Sequence, residues 1–120
     1  LTLRPGMNVA YLAFNTAKPP LNNPAVRHAL ALAINNQRLM QSIYYGTAET
    51  AASILPRASW AYDNEAKITE YNPAKSREQL KALGLENLTL KLWVPTRSQA
   101  WNPSPLKTAE LIQADMRRLA

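Results

Sequence analysis

Residues 22–46, NNPAVRHALALAINNQRLMQSIYYG, form the longest uninterrupted periodic stretch in the chain, and any fold must give that stretch a surface to lie on. Val26, Leu30, Ala33, Ile34, Met40, Ile43 and Tyr44 recur at steps of three and four, which gathers them on one face of a helix. Asn23 is placed to act as N-cap, its side-chain oxygen accepting a backbone N–H of the first turn. Pro24 then falls at the first helical position, where its missing N–H costs nothing. Gly46 supplies the left-handed conformation that ends a helix. The spacing therefore predicts a single amphipathic helix of about six turns.

The flanking sequence is read as the surface for that helix. Residues 1–7 are a lead-in segment with a turn at Pro5-Gly6. Residues 8–15, NVAYLAFN, read as a strand with apolar side chains on both faces, hence a strand covered on both sides. Pro19-Pro20 excludes regular structure before the helix. Residues 47–71 are a long connection, with a short turn expected at residues 49–53 and with Trp60, Tyr62 and Tyr71 expected to pin it down. Asn72-Pro73 repeats the helix-start signature, and the helix it opens is predicted over residues 73–83, with Ala74, Leu80 and Leu83 as apolar points and Gly84 as the stop. Residues 88–95, LTLKLWVP, alternate as a half-buried strand, with Leu88, Leu90, Leu92 and Val94 inward. A polar loop over residues 96–104 leads to a third Asn-Pro, at 102–103, predicted to open a last helix whose apolar face is Pro105, Ala109, Ile112, Met116 and Leu119.

The expected fold class is α/β, with two strands and three main helices in the order β-α-loop-α-β-α. Two strands are too few for a free-standing sheet, so the covered first strand implies partner strands outside residues 1–120. A chain that opens LTLRPG reads as a piece of something longer, and residues 1–120 are expected to be a single partial domain.

Composition narrows the function. With 120 residues there is room for one core, burying roughly 65% of the unfolded surface. There is no cysteine, hence no disulfide framework and no thiolate zinc site. The net charge of +6 raises a basic nucleic-acid-binding domain as the alternative reading. The basic residues are scattered, however, and only Arg117 and Arg118 are adjacent, a pattern of solvated surface charge.

No catalytic set is present. His28, the only histidine, lies off the main apolar stripe of the long helix and has no further metal ligands near it in sequence. Asp63, Glu65 and Glu70 sit in the connection, where nothing holds carboxylates at the fixed separation that acid–base chemistry needs. The best candidate site is the loop after the second predicted strand, because ligands of open α/β sheets bind beyond the carboxyl ends of strands. It carries Thr96, Arg97, Ser98, Gln99, Trp101 and Asn102 ahead of a helix N-terminus, whose partial positive charge favours an anion. Arg97 suits a carboxylate held bidentately, and Trp101 suits an apolar wall. The predicted ligand-binding set is Arg97, Ser98, Gln99, Trp101 and Asn102, with no metal and no cofactor.

Several of these stretches together resemble the extracellular solute-binding proteins of family 5, the peptide-binding components of ABC importers. The resemblance rests on the segment ending in Phe14-Asn15, on Pro20-Leu21, on Val26-Arg27-His28-Ala29 leading into Ala33-Ile34-Asn35, on Gly46-Thr47-Ala48, on Ile54-Leu55-Pro56 and on YNPAKSREQLKALGL. At Asn72 the family usually has aspartate, which serves the same capping role. The resemblance implies part of one lobe of a periplasmic-binding-protein-like, type II fold. It implies a periplasmic protein that captures peptides and delivers them to ABC permease subunits in the inner membrane, with neither catalysis nor nucleic acid involved. In dipeptide-binding members an arginine in the loop before an Asn-Pro pair holds the peptide's carboxylate, and Arg97 lies in the corresponding loop.

Overall fold

In the computed structural model, which describes residues 6–119, the Asn-Pro pair at 23–24 opens a helix but the helix stops after nine residues. This first helix, α1, is Pro24–Leu32, with the Asn23 Oδ1 accepting the Ala25 N–H at 3.0 Å. The chain turns at Ala33–Ile34 and starts again as α2, Asn36–Tyr44. The predicted single helix over residues 22–46 is thus corrected to two. The break lies at Asn35, whose Oδ1 caps α2 by accepting the Arg38 N–H at 3.0 Å. Asparagine side chains compete with the backbone for its hydrogen bonds, and here the competition ends one helix and starts another. The restart also shifts the buried stripe. Leu32 and Leu39 are buried, whereas Ile34, Met40 and Tyr44 are half-buried.

The end of α2 follows the expectation for Gly46 with one addition. Tyr45 and Gly46 both take left-handed backbone, at φ 51° and 77°, and the Gly46 N–H reaches back to the Met40 carbonyl at 3.1 Å. The second Asn-Pro behaves as predicted. Asn72 caps α3, Pro73–Ala82, by accepting the Lys75 N–H, and Gly84 ends it at φ 73°. The third does not. The last helix, α4, is Pro105–Arg117, so Ser104-Pro105 opens it and not Asn102-Pro103.

Residues α1 and α3 share are the centre of the core. Val26, Ala29, Leu30 and Leu80 are buried together, with Phe14, Leu21, Leu85, Met116 and Leu119 packed around them. Full burial of a side chain such as Val26 or Leu30 stabilises by about 1.5–3 kcal/mol. The two helices are further tied by polar contacts. The buried Ser76 hydroxyl donates to the Ala29 carbonyl at 2.6 Å, and the Asn72 N–H donates to the Leu32 carbonyl at 2.8 Å.

Among the described residues there is no strand, so the order β-α-loop-α-β-α is corrected to four helices joined by loops. The only ladder-type pairing among them is an isolated bridge between Gln99 and Asn102. Apart from the Asn15 carbonyl, which accepts the Lys18 N–H at 3.3 Å, residues 8–15 and 88–95 make no backbone–backbone hydrogen bonds there, and a lone extended segment gains no ladder hydrogen bonds. Their apolar side chains are correspondingly open, with Tyr11 80% and Trp93 89% exposed and Leu90 and Leu92 also exposed. The radius of gyration, 15.2 Å, exceeds the roughly 14 Å of a compact chain of this length.

The connection over residues 47–71 consists of bends and turns, one of them at residues 52–55. Trp60 is 98% exposed and pins nothing, contrary to expectation, while Tyr62 is half-buried beside the Arg57 guanidinium, 5.9 Å from its ring centre. Ala74 and Leu83 are exposed instead of apolar anchors of α3. The expected turn at Pro5-Gly6 involves a residue outside the described ones.

Candidate functional site

An apolar groove of about 330 Å³ lies between the extended segments and the helix pair α2–α4. Residues 8–12 and 92–95 form one side of it. Met40 and Tyr44 of α2 and Thr108 and Ile112 of α4 form the other, with Trp101 and Asn102 at the loop end. The lining is mainly apolar, with a few polar groups, which is the usual make-up of a ligand groove.

The predicted site residues divide between this groove and its rim. Trp101 is partly exposed and lines it. Asn102 also lines it but is buried, and its side chain is committed within the chain. Its Oδ1 accepts the Ser104 N–H at 3.0 Å, and its Nδ2 donates to the Thr108 Oγ1 at 2.9 Å. That geometry explains why Asn102 does not cap a helix two residues earlier than observed: its side chain turns the loop into α4. Gln99 is half-buried and closes the loop through a reciprocal backbone pair with Asn102, at 2.8 and 3.1 Å. Its side-chain amide donates to the Arg97 carbonyl at 3.3 Å. Arg97 and Ser98 are exposed on the loop and do not line the groove, as is Thr96 before them.

Two groups not singled out in the sequence hold this site together. Tyr44 was read only as part of an apolar stripe, yet its hydroxyl donates to the Trp101 carbonyl at 2.6 Å across 57 residues of sequence. Burial raises the Tyr44 pKa above its ordinary value. Asp115 lies between the apolar points of the last helix, yet its side chain is fully buried. Its carboxylate accepts from Arg38 Nη2 at 2.6 Å and from the Asn35 N–H at 3.0 Å. Arg38 also donates to the Leu111 carbonyl at 2.9 Å, fixing α2 against α4. A cap at Asn35 was the one sequence signal that could have placed the break, and with it the start of α2, beside α4.

The other candidates lie apart. His28 is exposed on α1. Asp63 accepts the Glu65 N–H in its own turn, and Glu70 pairs with Lys75 at 3.1 Å. No group of three or more metal-ligating side chains occurs among the described residues. None of the described helices is long and apolar enough to cross a membrane.

A family model described as bacterial extracellular solute-binding proteins, family 5 middle, matches residues 2–120. The chain is 99% identical over 116 residues to the "Probable ABC transporter periplasmic-binding protein SapA" of Escherichia coli K12, a match covering 97% of this chain and 21% of that protein. It is 93% identical over 116 residues to the peptide transport periplasmic protein SapA of Salmonella typhimurium LT2, with the same shares covered. Among solved structures it is similar to a dipeptide-binding protein from Pseudoalteromonas sp. SM9913 in complex with Met-Leu, at 37% identity and a TM-score of 0.84, over 89% of this chain and 21% of that one. The chain thus spans about a fifth of the length of the curated relatives it matches.

Proposed function

The chain belongs to family 5 of the bacterial extracellular solute-binding proteins, and from that membership we propose that it is part of one lobe of a periplasmic protein that captures peptides and delivers them to an ABC importer. The observation that carries this reading is the match to SapA proteins at 93–99% identity, one of them described as a peptide transport protein. The similar dipeptide-binding protein, solved with Met-Leu, supports a peptide ligand. Permease subunits in the inner membrane are the receiving partners. The role is binding without catalysis, and nothing in the matched family supports the nucleic-acid alternative raised by charge.

The finer architecture follows the same reading. Residues 8–15 and 88–95 are extended, apolar and without partners among the described residues, as strands would be whose neighbours belong to the longer protein. In that setting residues 1–120 form a single partial domain of a type II fold. The loop over residues 96–104 then stands at the end of a strand, where Arg97 is free to meet a peptide carboxylate. Trp101 offers the apolar wall, with Ser98 and Gln99 as further polar contacts and Asn102 as the residue that shapes the loop.

The test is calorimetry of peptide binding by the full-length protein, with Met-Leu and a series of longer peptides as probes. Binding is expected, and Arg97→Ala should weaken it about tenfold or more, the value of a charge-assisted hydrogen bond. Unchanged affinity in Arg97→Ala would remove Arg97 from the site. Failure to bind any of the peptides, together with DNA binding that falls steeply with salt, would replace the proposal with the nucleic-acid reading.

A further inference from the structure

We propose that Tyr44 is a positioning residue for ligand binding, its hydroxyl holding the 96–104 loop in place through the Trp101 carbonyl. The inference rests on the reading that this loop carries the ligand contacts. Its geometry is independent of that reading.

Tyr44 is a fixed point. It is the last residue of α2, and the chain reverses immediately after it through the left-handed Tyr45 and Gly46. The Thr47 N–H returns to the Tyr44 carbonyl at 2.9 Å, and the Gly46 N–H closes on Met40. At its other end α2 is clamped to α4 by Arg38 and Asp115. A side chain on so constrained a helix end has little freedom to follow a moving loop, so the loop must conform to it.

Among the described residues, side chains attach the loop from two helices. On one side the Asn102 side chain ties it to Ser104 and Thr108 at the start of α4. On the other, the Tyr44 hydroxyl ties it to the end of α2 at 2.6 Å. Asn102 and Trp101 are neighbours in sequence, so the two attachments hold adjacent residues from two different helices, α4 and α2. Removing the Tyr44 bond leaves the loop hinged on Asn102 alone. Trp101, which lines the groove, and residues 97–99 beyond it are then free to drift from the ligand. Preorganisation of this kind improves affinity by removing the ordering cost from the binding step.

Tyr44→Phe in the full-length protein keeps the ring and removes only the hydroxyl. Two measurements read the outcome. Hydrogen exchange by mass spectrometry should show faster exchange in the peptide covering residues 96–104, with α1 and α3 unchanged. Calorimetry with the tightest-binding peptide should show affinity weakened about three- to tenfold, on the scale of one net hydrogen bond, with the thermal midpoint held. Unchanged exchange in the loop would overturn the proposal whatever the affinity. Faster exchange with unchanged affinity would also overturn it, showing that the loop is held by Tyr44 but carries no ligand contact. Arg97→Ala on the same peptide separates the two readings. If it weakens binding while Tyr44→Phe does not, the ligand-bearing loop stands and the role of Tyr44 falls.

Discussion

The contact between α1 and α3 and the contact between α2 and α4 are built from opposite chemistry. In the first, Val26, Ala29, Leu30 and Leu80 meet in an apolar cluster, flanked by the Ser76–Ala29 and Asn72–Leu32 hydrogen bonds. In the second, Arg38 and Asp115 meet as an ion pair at 2.6 Å, with the Asn35 N–H and the Leu111 carbonyl completing the network. The apolar contact gains from every methylene it removes from water and tolerates small misfits. The charged contact gains little on balance, because desolvating two ions costs nearly what their attraction returns. Its Arg38 Nε is buried without a hydrogen-bond partner among the described residues, so the compensation is incomplete there. What it supplies is direction: a fixed bearing of α2 on α4, next to the groove.

The difference makes the two contacts fail differently. Asp115→Ala should have the largest effect, lowering the local stability of α2 and α4 by about 3–5 kcal/mol, because it strands the Arg38 charge and the Asn35 N–H. Native-state hydrogen exchange of the full-length protein measures it region by region. Pairing Arg38→Met with Asp115→Leu should cost less than Asp115→Ala alone. A double substitution that costs as much as Asp115→Ala alone would mean that the ion pair is a net source of stability, and the contrast between the two contacts would fall.

On the apolar side, Leu30→Ala should cost about 3 kcal/mol, the transfer term plus the cavity left between α1 and α3. Exchange in α1 and α3 should rise while α2 and α4 keep their protection. Equal loss in both pairs would show the two contacts to be one cooperative unit. The smallest effect is expected from Ser76→Ala, about 1–2 kcal/mol for a lost buried hydrogen bond, and it should fall on the same α1–α3 unit.

Much of the helical content was legible in residues and spacing. Asn23-Pro24 and Asn72-Pro73 opened helices because a short polar side chain satisfies a first-turn N–H and proline needs none. The same signature misled at Asn102-Pro103. A side-chain oxygen two residues before a helix can equally turn the chain toward it, and Asn102 spends its oxygen on the Ser104 N–H. The break at Asn35 was hidden for a related reason. Periodicity over residues 22–46 is nearly continuous, and only the capping bond to Arg38 and the acceptor at Asp115 reveal two helices.

The site was legible in part. The loop after residues 88–95 was identifiable from its position and from Arg97 and Trp101, and Trp101 does line the groove. Tyr44 was not, because a tyrosine on an apolar stripe looks like packing until its hydroxyl finds a carbonyl 57 residues away. Asp115 was hidden because it occupies a step of the α4 stripe that runs through Ile112 and Leu119, where a carboxylate reads as an interruption.

Sequence alone determined some local events: the helix starts at Asn23-Pro24 and Asn72-Pro73, the glycine stops at Gly46 and Gly84, and which family the pattern resembles. These depend on side chains reaching backbone groups within three or four residues. Tertiary structure decided the rest. A buried charge such as Asp115 is tolerated only once Arg38 and Asn35 are brought to it, and an apolar segment such as 8–15 or 88–95 has strand-like alternation without strand pairing unless partners complete its hydrogen bonds. Both conditions join residues far apart in the chain, and no local pattern encodes them.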